Sequence, residues 1–237
     1  MITIFRKTRQ KLISENNMGK YFKYAIGEII LVMIGILLAL QVNNWNENRK
    51  DRVKEKAILK QLHKEFEKNL SEFEPVKASQ IRTFNSGKVV FRNIDKLDTP
   101  VYRDSVYMYS TRMFGGYTYY PSGGVIESLI SSGDFKLIQN DTLRNYLVSW
   151  KDVLKRYTDN VNIDLNLWAN RIEPYVMKHG DFLNAGSQKN IKLLRDPVFI
   201  NMMFRKQFFQ NNIMNSINGK DGLEYYMKEI LRLSKTK

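Results

Sequence analysis

The sequence predicts an all-α protein: an N-terminal transmembrane helix that continues into a long helix, then an antiparallel helical bundle. Three observations predict it. One apolar run near the start is long enough to cross a bilayer. Downstream, apolar residues recur at steps of three and four. No stretch alternates apolar and polar residues as a half-buried strand does. The 237 residues are 43% hydrophobic and 26% charged, enough for one packed domain plus an appendage. The absence of cysteine excludes a disulfide scaffold, thiolate zinc sites and cysteine nucleophiles. Two histidines, His63 and His179, exclude a three-histidine metal site.

The boundaries follow from charge and hydropathy. Residues 1–23 form a basic N-terminus, 24–45 the membrane helix and 46–237 a helical outer domain. Within the first part, Ile2, Phe5, Leu12 and Ile13 share an apolar face flanked by Arg6, Lys7, Arg9 and Lys11. This pattern fits either a short interfacial helix on an anionic leaflet or a basic leader that only orients the anchor. From Tyr24 to Val42, nineteen residues carry one charge, Glu28. A spanning helix needs about 20 such residues at about 1.5 Å each. Tyr21, Phe22 and Tyr24 mark one interface and Trp45 the other. The segment lacks a small-residue cleavage site and is longer than a signal peptide's apolar region, so it reads as an uncleaved signal anchor.

Six Lys and Arg precede the span within residues 4–23, and six follow it within 41–60, so the positive-inside count is tied. Lys20 and Lys23 abut the apolar run, whereas the nearest charge on the other side is Glu47. The expected location is therefore the cell inner membrane, crossed once, with the N-terminus cytoplasmic. Glu28, Leu31, Gly35 and Ala39 share one stripe. Gly35 and Ala39 form a small-xxx-small pair that allows close helix approach. The stripe reads as a seam for self-association or another membrane protein, or else Glu28 simply snorkels to the headgroups.

After the span, Leu59, Leu62, Phe66, Leu70 and Phe73 step at helical spacing, and Pro75 is an expected kink or break. Val76, Ile81 and Phe84 continue a helix toward Gly87. Tyr102, Val106, Tyr109 and Met113 line a further face that ends at Gly115 and Gly116. The loop beyond holds Tyr117, Tyr119 and Tyr120, which either take a sugar or peptide ligand or cap the core. Gly133 is an expected C-cap, Asp134 and Arg144 a candidate ion pair, and Asn140–Asp141 a helix start. Leu143, Leu147, Trp150, Leu154, Tyr157, Val161, Trp168, Ile172 and Tyr175 define the longest apolar stripe, which Asp164 interrupts. Residues 178–195 read as loop or short turns. Asp196–Pro197 starts a helix, and the last one is LEYYMKEILRLS.

Removing the six cations and two carboxylates of the first 45 residues leaves 32 Lys and Arg against 22 Asp and Glu, a net of +10. No nucleic-acid motif accompanies this charge, and no phosphate-binding, nucleophile-elbow or zinc-protease motif appears. Asn162, Asp164 and Asn166 have calcium-loop spacing without the loop glycine or the closing glutamate. No cofactor is expected, and the lipid bilayer is the expected partner.

The runs MGKYFKYAIGEIILVMIGILLALQVNNWNENRK at 18–50 and SLISSGDFKLIQNDTLRNYL at 128–147 resemble two shared segments of a family of bacterial single-pass membrane proteins of unknown function. The resemblance implies an anchored protein with a helical outer region and carries over no catalytic residue. The expected role is a non-enzymatic, membrane-anchored interaction or sensor-like module. The alternatives are a glycan- or peptide-binding domain and, last, a cryptic hydrolase.

Overall fold

In the computed structural model, residues 18–236 are described and, among them, every regular element is helical. The basic stretch 2–13 lies outside the described residues. The first helix, α1, runs from Met18 to Asn93. It is followed by α2 (Pro100–Met113), α3 (Gly124–Ser132) and α4 (Asp141–Leu167). A π-helical turn (Trp168–Ile172) joins α4 to α5 (Glu173–His179), and α6 (Gln188–Arg195), α7 (Pro197–Ile217) and α8 (Leu223–Leu233) complete the chain. The described residues divide into two compact units, one up to Lys54 and one from Glu55 onward.

In the first unit the helix exposes its apolar side chains. Leu31 is 61% exposed, and the apolar window of this helix is wholly uncovered by protein.

In the second unit, α1 presents a stripe that steps by 4 and 3 without a slip: Leu62, Phe66, Asn69, Phe73, Val76, Gln80, Thr83, Gly87 and Val90. All are buried except Val76, which is half-buried. The expected break at Pro75 does not occur, and the helix passes through it. A proline inside a helix costs about 3 kcal/mol. Burial of Phe73 before it and Gln80 and Thr83 after it holds the two sides in line. Gly87 does not end the helix either. A Cβ there would strike the Gln207 amide, whose Nε2 donates to the Phe84 carbonyl at 3.2 Å. The glycine is what lets α7 come this close to α1.

The caps form as the sequence predicts. Asn140 Oδ1 accepts from the Leu143 amide at 3.0 Å, Asp196 Oδ1 accepts from Val198 at 2.7 Å, and Gly133 closes α3 in the left-handed region. The 178–195 segment departs from the expected loop, because residues 188–195 form α6. Ser187 caps it, and Leu193 and Leu194 bury its inner face. Eight residues and polar flanks hid that face from periodicity alone.

The core has two apolar clusters. One gathers Phe66, Phe73, Ile126, Leu147, Ile217 and Met227; the other gathers Val90, Met113, Ile172, Leu194 and Met203. Helices α1 and α4 run from the first cluster to the second, and α7 runs back, so α7 is antiparallel to both. In α4 the stripe steps by 4 and 3 up to Trp168 and then by 4 to Ile172. The π-helical turn inserts the extra residue and turns Ile172, rather than Arg171, into the core.

Candidate functional site

Between the two apolar clusters, the same three helices bury polar side chains. Helix α1 contributes Ser79, Gln80, Thr83 and Ser86, α4 contributes Asp164, and α7 contributes Lys206 and Gln210. The Asp164 carboxylate accepts from Lys206 Nζ at 2.6 Å and from Gln210 Nε2 at 2.8 Å, through the same oxygen. Among the described residues, its other oxygen has no partner. Burial pushes the Asp164 carboxyl above its ordinary value, against the opposing pull of Lys206 and Gln210. This places Asp164 on the core face of the stripe, with its carboxylate turned to Lys206. Tyr157 borders the layer, and burial pushes its phenol up to about 12, against a lowering influence from Gln80.

Lys206 and Gln210 were missed by reading the sequence for motifs. The signal was nevertheless there. Phe199, Met203, Lys206, Gln210, Ile213 and Ile217 step by 4, 3, 4, 3 and 4, so both polar residues occupy core positions.

The loop after α2 separates its three tyrosines. Tyr119 is 3% exposed and belongs to the core. Its hydroxyl donates to the Asn69 carbonyl at 2.8 Å, and its ring packs on Phe73 at 4.9 Å. The expectation that it faces a ligand is corrected. Asn69 clamps this loop by donating to the Ser122 carbonyl at 2.8 Å and accepting from the Ser122 amide at 2.9 Å. A clamp of that kind pulls the intervening aromatic inward. Tyr120 is exposed, and Tyr117 is exposed at the rim of a cavity of about 840 Å³.

That cavity is lined from α1 by Ser79, Arg82 and Thr83, from α2 by Tyr109 and Arg112, and by the backbone from Gly115 to Tyr117. Gly116 takes φ +143°, a conformation that side chains disfavour, where the loop turns over Gln80. Gln80 Nε2 donates to the Tyr117 carbonyl at 3.0 Å and fixes that wall. A second cavity of about 400 Å³ is apolar, with Phe114, Trp168 and Phe199 in its walls beside the π-helical turn.

The expected Asp134–Arg144 pair does not form. Arg144 turns instead to Asp141, one turn away on its own helix, and donates to the Ile138 carbonyl at 3.0 Å. His63 shares a hydrogen bond with the Leu231 carbonyl at 3.0 Å, and the His179 ring lies tilted against Tyr175, centroids 4.4 Å apart. Among the described residues, no group of three or more His, Asp or Glu side chains is arranged to hold a metal. In the first unit, Leu31, Gly35 and Ala39 are exposed and Glu28 is half-exposed. A Cβ built on Gly35 meets nothing within 4 Å.

The sequence matches a family of unknown function, DUF6090, over residues 28–212. Neither a curated protein nor a solved structure matches it. The chain belongs to the DUF6090 family.

Proposed function

We propose that this chain is a single-pass, membrane-anchored helical module of a bacterial envelope, acting by interaction or sensing rather than catalysis. One observation carries the reading. The helix near the N-terminus has an apolar window with mean hydropathy 2.4, and none of that window is covered by the protein itself. At about 25 cal/mol per Å² of apolar surface, water is a poor environment for such a segment, and a hydrocarbon core of about 30 Å matches its length. Phe22 and Tyr24 on one side and Trp45 on the other are all exposed, as interfacial anchors are. Lys23 beside the apolar run supports a cytoplasmic N-terminus with residues 46–237 on the other face.

In this reading Gly35 and Ala39 form the surface on which a second helix seats, with Glu28 on the same stripe. The helix then serves to pair chains as well as to anchor them.

Cell fractionation tests the anchor. The protein stays with membranes through alkaline carbonate and leaves them only in detergent; recovery in the aqueous fraction refutes the reading. Protease added outside intact spheroplasts removes the bundle and leaves a short protected fragment; full protection reverses the orientation. Gly35→Ile and Glu28→Leu lower self-association in a membrane reporter, and unchanged association removes the seam.

A further inference from the structure

The cavity beside Tyr117 has the chemistry of a ligand site. Ser79 and Thr83 are 6% and 3% exposed, yet among the described residues neither hydroxyl makes a hydrogen bond within the protein. Ser86, one turn on, differs in giving its hydroxyl to the Arg82 carbonyl at 2.8 Å. Both residues line the cavity, and neither oxygen is among the polar atoms sealed from solvent without a partner, so both hydroxyls remain open to a ligand there. Arg82 and Arg112 line the same cavity, and among the described residues neither forms an ion pair. The Arg112 guanidinium lies over the Tyr109 ring at 5.4 Å, which orients it, and no Asp or Glu lines the cavity. The two guanidiniums, both on exposed residues, give this acid-free recess a positive potential that suits an anion.

We propose that this cavity binds a small organic anion. A carboxylate or phosphate group is held by Arg82 and Arg112, polar atoms of the ligand pair with Ser79 and Thr83, and an apolar portion rests against Tyr109 and Tyr117. Guanidinium forks recognise such oxyanions in a bidentate way that ammonium groups do not. The cavity volume suits a molecule of metabolite or headgroup size rather than a folded partner. This assignment names the class of ligand that the sensing role would respond to, and rests on that reading only for its biological use.

The test uses the full chain in neutral-detergent micelles and isothermal titration with phenyl phosphate, with benzyl alcohol as the uncharged analogue. Saturable binding of phenyl phosphate alone is expected, weakening as salt rises. Arg82→Gln and Arg112→Gln each weaken it about tenfold, as expected for a lost charged hydrogen bond. Thr83→Val, which keeps the shape, weakens it by a smaller factor. Should a Gln variant lose helicity, Arg82→Lys and Arg112→Lys keep the charge, remove the fork and carry the comparison. Equal binding of benzyl alcohol, absence of saturation, or wild-type affinity in both arginine variants overturns the proposal. Soluble dihexanoyl phosphatidylglycerol separates the two sources of such an anion. Displacement of phenyl phosphate identifies a lipid headgroup, and no displacement identifies a free organic acid. A protein that binds phenyl phosphate but fractionates as aqueous defeats the anchor alone. One that stays in membranes without binding defeats the site alone.

Discussion

Leu31 and Leu62 lie on the same helix, 31 residues apart, and their surroundings are opposite. Leu31 is 61% exposed and Leu62 is 0% exposed. Around Leu62 the stripe is only as wide as the neighbouring helices can cover, and the outer face of α1 is charged. Around Leu31 the apolar residues run all the way round the helix. A helix hydrophobic on every side needs a partner on every side. The bundle supplies its own partners, whereas the first segment must find them elsewhere.

The same contrast orders the consequences of substitution. The largest loss is expected where the bundle buries charge. Asp164→Ala strands Lys206 in the core and costs about 3–5 kcal/mol in urea denaturation followed by tryptophan fluorescence. Asp164→Leu with Lys206→Met restores that loss or gains about 1–4 kcal/mol, because both charges are then removed together. A single-variant loss below about 1 kcal/mol would mean that the pair is solvated and not part of the core.

Next comes the pair of apolar truncations that defines the contrast. Phe66→Ala, which also removes an edge-to-face contact with Trp150 at 4.9 Å, costs about 3–5 kcal/mol of bundle stability. Leu31→Ala leaves the unfolding midpoint of the bundle unchanged and shifts the protein toward the aqueous phase in detergent partitioning. A lowered midpoint for Leu31→Ala would show that the first segment is packed against protein after all.

Smaller still is Gly133→Ala. Gly133 sits at φ +73°, so a side chain costs about 1 kcal/mol. Gly35→Ala, in an ordinary helical conformation with open space around it, leaves the midpoint where it was.

Acid sensitivity sharpens the comparison within the bundle. Burial pulls the Glu224 carboxyl upward, but Lys228 and Lys77 outweigh it and hold it below its usual range. A depressed carboxylate contributes stability above the ordinary glutamate range and loses it as pH falls through the depressed value. Glu224→Gln therefore flattens the acid limb of a stability-against-pH curve. Asp164, pushed upward, works in the opposite sense: apart from its pairing with Lys206, its proton uptake favours the folded state below the ordinary aspartate range, and that part is lost as pH rises through the raised value. Replacing it therefore steepens the same limb. Two acid limbs of identical slope would contradict both assignments.

The smallest effect is expected at Tyr157. Among the described residues its buried hydroxyl makes no hydrogen bond of ordinary length, and Gln80 acts on it less than burial does, so Tyr157→Phe is neutral or slightly stabilising.

What the sequence determined by itself was local or strongly periodic. The apolar run from Tyr24 to Val42, the caps at Asn140 and Asp196, the left-handed Gly133 and the long stripe of α4 depend on neighbours within a turn or two. Residue type and spacing therefore suffice to find them. The tertiary structure decided whatever depends on residues distant in the chain. It carried α1 through Pro75 and past Gly87, because packing from α7 and other helices outweighs a local breaker. It paired Asp164 with Lys206 across 42 positions, drew Tyr119 inward through Asn69, and left Ser79 and Thr83 facing a cavity with two arginines. Periodicity marks which residues face inward, but what each one meets there is set by which helix arrives opposite, and the chain encodes that only through the fold as a whole.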